Sequence, residues 1–260
     1  MDRAQAQAGG PGAHQARVPF SEGLEALKAA QKPSAGTPLY SRLVNRPLGR
    51  VLGAVAMTIG LGPNGISLVS ASFSFAGIAL VAFAQPSVGV ALGITGLLVF
   101  GYALDSSDGQ VARVTGRGSL LGEWLDHMID AAKVASLHAA VCWSALHHAD
   151  PARGWAAVAL LYGIVASVLF FGMILTDQLR RAAGVPKQAA TSGSSDLVRA
   201  LLVLPTDYGV LCLLFLLFGA TSVFYPVYGL LGAANLLLLA VAVSRWVGQL
   251  RGIDRERSAS

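Results

Sequence analysis

Residues 105–130 read DSSDGQVARVTGRGSLLGEWLDHMID, which sets four aspartates, a glutamate and a histidine between long apolar runs. Carboxylates are costly at membrane depth unless they are paired, hold a metal or line a wet cavity. Whether the flanking runs cross a bilayer therefore decides both the fold and the meaning of these acids. Of the 260 residues 54% are hydrophobic and 13% are charged, whereas a soluble domain carries about a quarter charged residues. The composition points to an integral membrane protein. Cys142 and Cys212 each sit inside an apolar run, which argues against a disulfide framework or a thiolate metal cluster. The net charge of +5 comes without an aromatic-basic module, so nucleic acid is not an expected partner.

Working outward, residues 1–38 are rich in Ala, Gln, Gly and Pro without periodicity and are expected to form a disordered cytoplasmic tail. Over 39–62, Arg42, Arg46 and Arg50 recur every fourth residue among Leu43, Leu48, Val51, Leu52 and Val55. This is the pattern of an interfacial amphipathic helix, with its regular part beginning near Pro47. Apolar segments of spanning length follow near 66–84, 88–105, 120–147, 154–176, 197–219 and 223–246. The expected fold is thus an all-α membrane protein of six transmembrane helices over 63–248, with a short polar tail at 249–260. Six spans gather 17 of the 19 Lys and Arg residues on one side, leaving Arg153 opposite and Lys133 within a span. The positive-inside rule puts that side, with both termini and the 105–122 loop, in the cytoplasm.

On a helix at about 100° per residue, Glu123, Asp126, His127 and Asp130 share an arc of roughly 100°. Asp105 and Asp108, three apart, likewise share a face at the end of the second span. Carboxylates converging from two neighbouring helices suit a hard divalent cation, Mg²⁺ or Mn²⁺, which takes oxygen ligands. The competing reading is structural ion pairing with Arg113, Arg117 and Lys133. A transporter could also carry intramembrane acids, but the later spans have few polar residues beyond Asp177, Asp207 and Asn235, which favours a one-sided site.

Written out, the stretch is Asp105-x2-Asp108-Gly109-x2-Ala112-Arg113-x8-Gly122-x3-Asp126-x3-Asp130. It resembles the signature of the CDP-alcohol phosphotransferase (phosphatidyltransferase) family at every fixed position. The segment PNGIS at 63–67 is similar to the motif at which that family's first span begins, and it places Asn64 with the nucleotide-binding residues. The resemblance implies a membrane enzyme of phospholipid synthesis that moves a substituted phosphate from a CDP-linked donor to a hydroxyl acceptor and releases CMP. It further implies that Asp105, Asp108 and Asp126 are metal ligands, and that Asp130 lies by the metal and deprotonates the acceptor. By the same resemblance Gly109 and Ala112 let the nucleotide approach, Arg113 holds donor phosphate, Gly122 leaves room beside it, and the enzyme is a homodimer. Bare sequence leaves Gly109 open as a loop glycine and Gly122 as a helix-packing one.

The string SLLGEWLDHMID also resembles eukaryotic choline and ethanolamine phosphotransferases, whose histidine at the position of His127 has been proposed to aid proton transfer. His127 is a second base, an acceptor-binding group or simply a partner of Glu123. CDP-diacylglycerol is the expected donor and a small polar alcohol the acceptor; the alternative moves a CDP-activated head group onto a lipid hydroxyl. Phosphatidylinositol-phosphate synthases of this family hold their phosphorylated acceptor with basic residues around the end of the fourth span. Here FGMILTDQLRRAAG supplies Asp177 and Gln178 there, with Arg180, Arg181 and Arg199 further out, which argues against a phosphorylated acceptor.

Overall fold

The computed structural model describes residues 17–31, 38–185 and 200–259, and every regular element among them is helical. In chain order these are α1 (Phe20–Ala29), α2 (Arg46–Ile59) entered through a π-helical turn (Ser41–Asn45), α3 (Pro63–Phe83), α4 (Val88–Thr115), α5 (Leu120–His148), α6 (Ala152–Ala182), α7 (Tyr208–Leu214) and α8 (Thr221–Ala259). Short 3-10 turns, Leu204–Thr206 and Phe215–Leu217, flank α7.

Local chemistry explains the boundaries. Gly60 and Gly116, with φ of 77° and 65°, close α2 and α4 in the left-handed conformation that a side chain disfavours. Pro63 opens α3, where its missing N–H costs nothing. The Ser87 hydroxyl caps α4 by accepting from the Val90 N–H, and the Ser119 hydroxyl caps α5 by accepting from the Gly122 N–H at 3.0 Å.

Three expectations need correction. The tail expected over 1–38 contains α1, because Leu27 and Gly23 bury against Gly53, Ala54 and Met57 of α2; apolar burial against a partner helix orders a segment too short to be helical alone. The second span runs ten residues past its expected end, so Asp105, Asp108 and Arg113 stand on α4 itself and only 116–119 form the loop. The C-terminal tail of 249–260 is a continuation of α8 through Ala259.

Helices α3, α4, α6 and α8 are each long and apolar enough to cross a membrane. Helix α5 is comparably long, but its first half carries Glu123, Asp126, Asp130 and Lys133. The apolar stretch Tyr208–Leu217 is shorter, and the start of the fifth expected span, near 197, lies outside the described residues. Helix α3 packs on both α4 and α5, α5 on α6, and α6 on α8, while α4 and α5 make no extensive contact with each other. The α3–α4 seam uses small residues: Ser67, Ser70 and Ser74 are buried, the Ser70 hydroxyl donates to Gly101 O at 2.8 Å, and a Cβ at Gly101 would collide with Ser74. The apolar core lies toward the other end, where Phe215, Phe218, Phe224, Tyr225 and Tyr228 pack around Leu98, Leu137 and Val141.

Candidate active site

Where α4 and α5 carry the signature their backbones make no extensive contact, and a cleft of about 650 Å³ opens there. The four-residue loop between Thr115 and Leu120 keeps the signature-bearing ends of the two helices together at one mouth. Asn64, Asp108, Gly109, Ala112, Arg113, Gly122, Asp126 and His127 all line this cleft, together with Ser67, Glu123 and Arg181. Gly109 is helical, not a loop glycine, and a Cβ there would meet only Arg113, at 3.5 Å, so its bare face borders open space. Gly122 abuts Asn64: an added Cβ would sit 3.2 Å from the Asn64 carbonyl oxygen. The glycine thus brings α5 close to the start of α3 as well as leaving room in the cleft.

Asp105 and Asp130 do not line the cleft; they lie behind it. Carboxylate oxygens of Asp105, Asp126 and Asp130 come within 4.8 Å of one another. This all-oxygen set, drawn from two helices, fits a hard divalent cation by its chemistry. Asp108 stands outside that trio. It is buried and accepts a hydrogen bond from the Ser67 hydroxyl of α3.

The ion-pairing reading is realised in part. The Lys133 ammonium, 3% exposed, donates to Asp105 at 2.5 Å and to Asp130 at 3.2 Å. Arg113, by contrast, lines the cleft itself. At the mouth Glu123 accepts from Arg181 at 2.6 Å and from Gln178 at 3.2 Å, while His127 lies 3.9 Å from it. The pairing of His127 with Glu123 is thus the loosest of the three, and the imidazole remains part of the cleft wall. Lys187 and Arg199 lie outside the described residues.

Sequence reasoning named Lys133 only as a competing ion-pair partner, Ser67 only within PNGIS and Arg181 only as a basic residue further out, and did not assign them to one site. Ser67 had a signal in the 67, 70, 74 serine spacing of α3, which marks a buried face. Lys133 follows Asp130 by three residues, within reach on a helix. Nothing local marks Arg181, which the α5–α6 packing brings to Glu123.

Among the described residues the far end is filled by the aromatic cluster around Phe215 and Phe224, and two deeper polar pairs are bonded to each other, His138 to Tyr228 and Asn235 to Tyr162. That is unlike a translocation path.

Residues 61–246 match the family model described as CDP-alcohol phosphatidyltransferase. No curated protein matches the chain in sequence. Thirteen solved chains match in structure, among them the phosphatidylinositol phosphate synthase of Mycobacterium tuberculosis with CDP-DAG bound, at 18% identity and a TM-score of 0.48, over 80% of this chain and 94% of that one.

Proposed function

The chain belongs to the CDP-alcohol phosphatidyltransferase family, a membrane transferase of phospholipid synthesis that draws on CDP-linked donors, and we propose that it passes the phosphatidyl group of CDP-diacylglycerol to a small, unphosphorylated polar alcohol. The observation that carries this reading is the convergence of Asp105, Asp126 and Asp130 within 4.8 Å behind a cleft lined by Arg113, Gly109 and Asn64.

In this mechanism Arg113 binds donor phosphate at the α4 wall, and Gly109 and Ala112 let the nucleotide lie against the helix. Asp108, held by Ser67, faces the same space and joins the cation-binding set. Asp105, Asp108, Asp126 and Asp130 would hold Mg²⁺ or Mn²⁺, which would supply neutralisation of the pyrophosphate charge. Asp130 takes the proton of the acceptor hydroxyl, whose own pKa is too high for attack. The acceptor oxygen forms a new bond to the phosphorus that carries the diacylglycerol; the bond from that phosphorus to the CMP oxygen breaks, and CMP leaves with the electron pair. His127 and Glu123 sit at the mouth, where they contact the acceptor. Of the three arginines that line the cleft, Arg113, Arg117 and Arg181, the last is paired with Glu123 and so is not free to take an anionic acceptor.

Six spans complete the picture: the four long apolar helices, α5, and the segment that ends at Leu217. With both termini cytoplasmic, the cleft opens at the inner face of the cell membrane, where the Arg and Lys residues collect. Exposed Ala131, Ala132 and Ala135 on α5 suit close pairing with a second copy. The test is purified protein assayed with labelled CDP donors and an alcohol panel for CMP release. CDP-diacylglycerol with a small alcohol is expected to support turnover, and Asp126→Asn or Asp130→Asn to abolish it while insertion is kept. Release of CMP only from a CDP-linked head group would reverse the direction of transfer; wild-type turnover by both variants would end the mechanism.

A further inference from the structure

Helix α1 lies outside residues 61–246, the part that matches the family, yet it touches the signature from behind. Gln31, just past its end, donates from Nε2 to the Gln110 carbonyl oxygen at 2.9 Å and to Leu27 O at 2.7 Å. Gln110 in turn donates to the Ser106 hydroxyl at 3.2 Å and to Arg46 O of α2 at 3.4 Å. Its amide, 3% exposed, is therefore bonded at both ends. The next residue, Val111, is fully buried in one apolar cluster with Leu27 of α1 and Ala54 and Met57 of α2.

Gln110 and Val111 are the two unspecified positions of the signature, between Gly109 and Ala112. On α4 they point away from the cleft, whereas Asp108, Gly109, Ala112 and Arg113 line it. This end of α4 gains no extensive support from α5. On the cleft side α3 holds it, through the Ser67–Asp108 bond among others; on the side away from the cleft it rests on the α1–α2 pair. A hydrogen bond has direction, which apolar packing lacks, so the Gln31–Gln110 bond adds a directional restraint on the rotation of α4 from the side opposite the Ser67–Asp108 bond. Rotation is the variable that aims Arg113 and Asp108 into the cleft.

Resting on the functional reading above, we propose that Gln31 and Gln110 are positioning residues for the donor: α1 is a strut that sets the nucleotide-gripping face of α4. The acceptor side of the cleft, on α5 and α6, does not depend on it.

The test uses the full chain in lipid nanodiscs, with CDP and Mg²⁺ as the probe in titration calorimetry, followed by steady-state kinetics. Gln31→Ala is expected to weaken CDP binding by about three- to tenfold, the range of one lost neutral hydrogen bond. Donor KM rises by the same factor, while kcat and acceptor KM stay within about twofold. Gln31→Lys, which restores a donor to the Gln110 oxygen, is expected to recover CDP affinity. A merely structural contact would instead lower the active fraction, and with it kcat, leaving donor KM alone. The proposal is overturned if Gln31→Ala binds CDP as the wild type does, if lysine fails to rescue it, or if the variant does not survive purification. Wild-type protein without CDP affinity would sink the functional reading as well, whereas tight binding by wild type and variants alike sinks only the strut.

Discussion

Lys133 sits where three carboxylates meet, bonded to Asp105 at 2.5 Å and Asp130 at 3.2 Å and almost wholly removed from solvent. Removing one partner of a buried charge cluster is more damaging than replacing the whole cluster, at roughly 3 kcal/mol or more. Lys133→Met is therefore expected to lower the thermal midpoint of the detergent-solubilised protein, and millimolar Mg²⁺ to restore part of the loss, since a ligand that binds only the folded state stabilises it. A midpoint insensitive to both changes would separate Lys133 from the acids. The acids themselves were legible in the sequence because their three- and four-residue spacings put them on common helix faces. The role of Lys133 was harder to read: its position at i+3 from Asp130 permits the contact, but Asp105 comes from another helix, and only the tertiary arrangement decides which neighbour the ammonium meets. Gly109 shows the same limit, since its helical conformation depends on how far α4 extends.

At the scale of elements, Asp207 joins two segments far apart in the sequence. One carboxylate oxygen accepts from the Gly209 N–H at 3.1 Å and so caps α7; the other accepts from the N–H groups of Tyr40 at 3.0 Å and Ser41 at 3.3 Å. Asp207→Ala leaves these buried donors unpaired, at about 1–3 kcal/mol for the cap and the adjoining bonds together. A lower thermal midpoint with an unchanged donor KM is the expected result; an unchanged midpoint would make the link dispensable. Long apolar helices were readable because length and hydropathy suffice for them. The end of α4 was not, because its last turns are polar and are held by α2 and by α1 at a distance in sequence. Helix α1 was missed for a related reason: only ten residues long, it takes its order from the α2 surface.

For the molecule as a whole, the charge asymmetry along the chain makes a labelling prediction. In sealed inside-out vesicles, a cysteine at Gly118, in the α4–α5 loop, is expected to react with an impermeant maleimide, and one at Asp150, between α5 and α6, only from the opposite side. The reverse pattern would move the catalytic mouth out of the cytoplasm. Native Cys142 and Cys212 are half-buried and buried and set a low background.

The tight loop from Gly116 to Ser119 has a kinetic consequence. Because it forces both signature-bearing helices to open at the same end, with the far end packed by aromatic rings, the spent nucleotide has to retreat through the doorway by which the next one arrives. CMP should then compete with the donor, raising its apparent KM without touching the maximal velocity, and traffic at that shared doorway would govern turnover whenever CMP accumulates.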